Sequence, residues 1–160
     1  YPDYNYDCTY YWNCSENIGF FGTTTELTSD INWGGYVDYS TTTQNSINVT
    51  GLTTPYGHLT REAGFKNKVE FVRVTLAGYT PEVLNSLGAR LESPDGTVVN
   101  ILQPFTNIAS ASSSYYYFDI GVNAFYGENI IGYWTLILDD YLDDSHDISH
   151  AYWKIEVFGN

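Results

Sequence analysis

Basic residues are scarce in this chain. Six Lys and Arg stand against nineteen Asp and Glu, a formal net charge of −13 over 160 residues. A field of that sign repels phosphate, which sets aside nucleic acid and, for the same reason, an anionic membrane surface. No run approaches the roughly 20 apolar residues that a helix needs to span a bilayer. No basic stretch followed by an apolar one opens the chain, so no signal peptide is read in it. Methionine is absent and the first residue is Tyr1, so we expect a piece of something longer. Histidine is limited to His58, His146 and His150, each in a polar, loop-like stretch. Neither a G-x-S-x-G elbow nor H-E-x-x-H is present. A triad is recognised by geometry and not by order, but nothing in these residues points to one, and we expect no catalytic residue in this chain.

Cysteine is nearly absent too. Cys8 and Cys14 stand alone with C-x5-C spacing. A zinc site would want two more ligands at suitable spacing. The expectation is a Cys8–Cys14 disulfide, contributing about 2 kcal/mol for so short a loop, and with it an oxidising, extracellular compartment. Two free thiols in a cytosolic protein are the alternative.

The acids that are present sit unevenly. Residues 1–40 carry six and no Lys or Arg, residues 41–100 balance five against five, and residues 101–160 carry eight against Lys154 alone. Calcium is the natural partner of surplus carboxylates. Asp3, Asn5 and Asp7 form D-x-N-x-D, the opening of several calcium loops, but Cys8 follows where the turn glycine belongs and Cys14 stands at the twelfth position. Asp139, Asp140, Asp143, Asp144 and Asp147 place five carboxylates in nine residues; a divalent cation would relieve their repulsion. A solvated acidic loop is the plainer reading. His146 and His150 have H-x3-H spacing, which would suit zinc on a helix, but the stretch reads as a loop.

From about residue 45 the pattern is β. Ile47 and Val49, then Val72, Val74 and Leu76, then Ala89 and Leu91, then Trp134, Leu136 and Leu138, then Trp153, Ile155 and Val157 each alternate with mostly polar neighbours. Period-2 alternation means strands with one buried face. Many short strands split by Gly, Pro and Asn predict a jelly-roll-like β-sandwich. One short helix fits around Pro81–Leu84. The Tyr-, Gly- and Thr-rich residues 1–42 differ in texture and are expected to form a separate N-terminal segment, with the sandwich at 43–160. Between two apolar-rich runs stands Ser93-Pro94-Asp95-Gly96. Pro94 fixes φ at about −65°, which suits position i+1 of a type I turn, and Gly96 can take the left-handed conformation of a bulge. The turn joins two strands and carries no catalytic group.

Three stretches carry a resemblance. LGARLESPDGTVVNIL (87–102), AFYGENIIGYWTLILDD (124–140) and AYWKIEVFG (151–159) resemble, in order and spacing, the hairpin, the G-E…G-x-W-T-L motif and the closing strand of the P domain, or P/homo B domain, of proprotein convertases and secreted bacterial proteases. Ser93, Pro94, Gly96 and Thr97 match the first. Phe125, Gly127, Glu128, Gly132, Trp134, Thr135 and Leu136 match the second, with Asp139 at its trailing acid, and Trp153 matches the last. The resemblance covers roughly 43–160. It implies an all-β, jelly-roll sandwich of about eight strands and a non-catalytic role, packing on and stabilising the catalytic domain of a secreted subtilisin-like serine protease. In convertases the domain also influences calcium and pH dependence. Glu128 is expected to accept backbone hydrogen bonds, and Trp134 and Trp153 to lie in the core. The chain departs from the family where H-x-x-x-G-D-L is usual: Tyr79 or a neighbour replaces the histidine and Asn85-Ser86 the Gly-Asp pair. The alternative function is a carbohydrate-binding or adhesion module of a secreted hydrolase, because Tyr115-Tyr116-Tyr117-Phe118 places two of its four rings outward.

Overall fold

The alternating stretches become strands because each offers an apolar face that only a second sheet can cover. In the computed structural model the described residues are 22–24, 26–29, 33–52, 66–79, 86–105, 115–143 and 148–159. They form β1 (Gly22–Thr23), β2 (Leu27–Thr28), β3 (Gly35–Val37), β4 (Thr42–Val49), β5 (Val69–Tyr79), β6 (Leu87–Glu92), β7 (Val98–Leu102), β8 (Tyr115–Val122), β9 (Gly132–Asp140), β10 (Ile148–His150) and β11 (Tyr152–Gly159). No helix occurs among the described residues. Seven of these eleven strands have five residues or more; the other four have two or three, so the expected eight become seven long strands with short additions at the edges.

All pairings are antiparallel. One sheet runs β1-β11-β5-β8, with β2 also on β11; the other runs β4-β9-β6-β7; β10 and β3 form a small third piece. The chain is an all-β sandwich. β5 lies between β11 and β8, and Val72, Val74 and Leu76 face inward, fully buried. β9 does the same in the second sheet with Trp134, Leu136 and Leu138. Both motif indoles lie in this core, one from each sheet. The Trp153 Nε1–H on β11 donates to Asn45 Oδ1 on β4 at 2.8 Å, a hydrogen bond from one sheet to the other. Phe125 meets Trp134 edge-on with centroids 5.2 Å apart.

The described residues among 22–37 belong to this sandwich. β1 and β2 pair with β11, β3 pairs with β10, and Val37 is fully buried in the core. The expected boundary at 42/43 therefore falls inside the fold, because Thr24 and Ser29 tie the segment down: each hydroxyl accepts a backbone N–H of β11, from Val157 at 2.9 Å and Trp153 at 3.1 Å. The Cys8–Cys14 pair, Asp3, Asn5 and Asp7, the Pro81–Leu84 helix, His58 and His146 lie outside the described residues.

Candidate functional site

The Ser93–Gly96 turn and the G-E motif meet. Gly96 has φ +89°, and its N–H donates to Ser93 O at 2.9 Å, closing the turn that the Pro-Asp-Gly order requires. Ser93 N–H donates to Thr97 O at 2.9 Å, so both hydroxyl residues sit at the base of the turn. The Ser93 hydroxyl donates to Glu128 Oε1 at 2.5 Å and the Thr97 hydroxyl to Glu128 Oε2 at 2.6 Å. Glu128 thus takes two side-chain hydroxyls and not the backbone N–H groups expected of it: the base of the turn offers its hydroxyls on one side, and its backbone donors are spent within the turn.

A second pair reinforces the first. Asp95 accepts the Asn129 backbone N–H at 2.9 Å and its side-chain amide at 2.8 Å. These bonds hold the Asp95 carboxyl below the usual carboxylate range. Lys68 Nζ donates to Asn129 Oδ1 at 3.2 Å. Glu128 itself is anchored by main chain to the other sheet. Val69 N–H, at the start of β5, donates to Glu128 O at 2.9 Å, and Gly127 N–H donates to Val69 O at 2.8 Å. One residue therefore has its backbone in the ladder of one sheet and its carboxylate on the hairpin of the other.

Glycine is required where this joint is tightest. Gly132 has φ +131°, and a Cβ there would stand 2.8 Å from the Cβ of Pro94. Below it, Trp134 Nε1–H donates to Ile130 O at 2.9 Å, fixing the indole beneath the loop. Ser93, Pro94, Gly96, Thr97, Gly127, Glu128, Gly132 and Trp134 thus form a single clasp. Its carboxylates, Glu128 and Asp95, both accept hydrogen bonds from within the joint.

The acidic stretch at 139–147 is not one loop. Asp139 and Asp140 end β9, and successive strand residues face opposite ways. Asp139 accepts from Arg90 Nη2 at 2.9 Å and from the Thr42 hydroxyl at 2.7 Å. Asp140 is buried and accepts the Leu142 N–H at 3.1 Å. Asp143 is exposed; Asp144 and Asp147 lie outside the described residues. No group of three or more His, Cys, Asp or Glu converges among the described residues.

His150 was expected in a loop. It lies in β10, buried, with its ring 4.2 Å from that of Trp33. β10 covers the end of β5, where Tyr116 OH donates to Ser149 O at 2.7 Å. Burial pushes the His150 imidazole below its ordinary value, and its Nδ1 has no hydrogen-bond partner among the described residues. Above pH of about 6.5 both folded and unfolded chains hold this group neutral. As pH falls through that value the unfolded chain takes up the proton first, and stability declines until the folded ring titrates. Denaturant titrations at pH 7.5 and 5.5 are expected to show a larger loss for wild type than for His150→Phe; equal losses would show that His150 is not a source of acid sensitivity.

The fold and the clasp define a class first: a β-sandwich whose motif residues are spent on joining its own sheets. A family model described as the proprotein convertase P-domain matches residues 69–157, more than half of the chain. The chain belongs to that family, whose members are non-catalytic accessory domains of proteases. The serine protease of Aeromonas sobria is similar in structure, with a TM-score of 0.67 at 16% identity over 92% of this chain and 29% of that one. The same protease in complex with its chaperone gives 0.67 and 16% over 88% and 27%. This chain thus spans less than a third of the length of those neighbours. No curated protein sequence matches it.

Proposed function

We propose that this chain is a non-catalytic accessory domain that docks on and stabilises the catalytic domain of a secreted subtilisin-like serine protease. The observation that carries the reading is the clasp. The polar side chains of the family motif, Ser93, Thr97 and Glu128, are bonded to one another across the joint between the two sheets. A rigid sandwich of this kind supports a neighbour through its outer surface. The parent's activity, its secretion and the docking itself come from family membership. The test compares the parent protease with and without residues 1–160. Removal is expected to shorten the half-life of peptidase activity at elevated temperature, while the chain alone leaves casein intact. An unchanged half-life, or casein hydrolysis by pure material that a serine protease inhibitor abolishes, would overturn the reading.

Calcium is a further part of this proposal. Arg90 already neutralises Asp139, and Asp140 faces the other way. These two do not fit a shared cation. The carboxylates left are Asp143 among the described residues, with Asp144 and Asp147, and the separate Asp3, Asn5 and Asp7 outside them. A ligand present at a hundred times its Kd stabilises by about 2.7 kcal/mol, or roughly 5–10 °C for a chain of this size. Thermal melts in millimolar calcium and in chelator should differ by that order; superimposable melts remove calcium from the account.

A further inference from the structure

The outer face of the β11-β5-β8 sheet gathers four tyrosines at one end. Register places Tyr117 and Tyr152 on either side of Ala77 in one row, and Tyr79 beside Tyr115 at the same end. Ala77 is fully covered, while Tyr79 and Tyr117 are about half exposed, at 55% and 52%. The rings touch: Tyr79 and Tyr115 meet edge-on with centroids 5.3 Å apart, and the hydroxyls of Tyr115 and Tyr152 are 3.4 Å apart. Two strand spacings, about 9.5 Å, separate the strands carrying Tyr117 and Tyr152. The next rows hold charge, and that charge is paired. Arg73 grips Asp119 through Nε at 2.9 Å and Nη2 at 2.7 Å and lies 3.6 Å from Glu156. Lys154 bonds Glu26 at 3.1 Å and stands over the Tyr152 ring. Glu26, Arg73, Thr75, Lys154 and Glu156 line a shallow, open depression, one row from the rings.

We infer that this face binds a neutral saccharide chain, with sugar rings stacked on the tyrosine platform and hydroxyls on the adjoining ion pairs. The chemistry is complementary on both counts. Aromatic faces take the apolar C–H faces of a pyranose, and a Tyr hydroxyl keeps the platform's edge polar. Each sugar hydroxyl both donates and accepts, and the depression sets donors (Arg73, Lys154) beside acceptors (Glu26, Glu156), with Asp119 paired to Arg73 next to it. Charge selects against the other polymers. A polyanion is repelled by a chain of net charge −13. A polycation would be drawn to the surplus carboxylates elsewhere, because those on this face already have partners. The site is independent of the protease reading and stands or falls separately from it.

The test is affinity electrophoresis of the chain through gels holding barley β-glucan, xyloglucan or galactomannan, with alginate as the anionic control. Retardation is expected in at least one neutral gel and not in alginate. Tyr117→Ala should weaken it by about tenfold, the equivalent of one lost ring contact. Tyr133→Ala, an exposed ring on the other sheet, should leave it unchanged, with melts confirming that both variants fold. Free migration in every neutral gel, equal retardation by alginate, or undiminished binding by Tyr117→Ala would each overturn the inference. So would a Tyr117→Ala parent that loses its catalytic-domain contact while no gel slows the wild type, which would make this a protein-docking face.

Discussion

Trp134→Ala is expected to lower the unfolding free energy by about 3–5 kcal/mol, the usual range for truncating a buried Trp. That is a large share of the ~5–15 kcal/mol by which a domain is stable. Trp134 is fully buried, packs edge-on against Phe125, and donates to Ile130 O. Truncation opens a cavity in the core near the start of β9 and leaves the Ile130 carbonyl without its indole donor. Trp134→Phe separates the two: it refills much of the volume and restores no donor. Urea titrations of the three proteins measure this directly. An alanine variant within 1 kcal/mol of wild type would show that the indole is not part of the stability core.

Glu128→Ala is expected to cost on the order of 3 kcal/mol, the sum of two hydrogen bonds to a charged acceptor at the low end of their range. For a chain of this length that is roughly a 6–12 °C fall in Tm. The loss goes beyond two bonds, since Ser93 is buried and its hydroxyl would be left with no acceptor. Glu128→Gln keeps one acceptor oxygen and should lose less. The double variant Glu128→Ala with Ser93→Ala removes the orphaned hydroxyl and should recover part of the loss. If Glu128→Ala and Glu128→Gln melt together with wild type, the clasp is not a joint between the sheets.

Much of this was legible because it rests on local rules. The alternation in 72–76, 134–138 and 153–157 gave strands and their inward faces, and Pro94 with Gly96 gave the turn. The clasp was legible only in part. The residues stood out as motif members, but Glu128 lies 31 and 35 positions from the hydroxyls it accepts, and no periodicity links positions so far apart in the chain. Asp95 and Asn129 escaped notice for the same reason. Residues 22–37 were set apart on texture, since strands of two or three residues are too short to show alternation. His150 read as loop because its neighbours Ser149 and Asp147 are polar. Its burial comes from Trp33 and from the packing of β10 on β5, which only tertiary contacts supply.

The placement of Glu128 also bears on the rate at which the domain opens. Contacts between residues this distant in sequence are made after the local hairpins, since loop closure must precede them. Interactions absent from the folding transition state act on unfolding alone. If the clasp is among them, removing it should accelerate unfolding and leave refolding nearly unchanged. Where cleavage outruns reclosing, the unfolding rate sets how long a chain survives a protease. A carboxylate that fastens late would thus extend the lifetime of a domain in proteolytic surroundings more than its equilibrium contribution suggests.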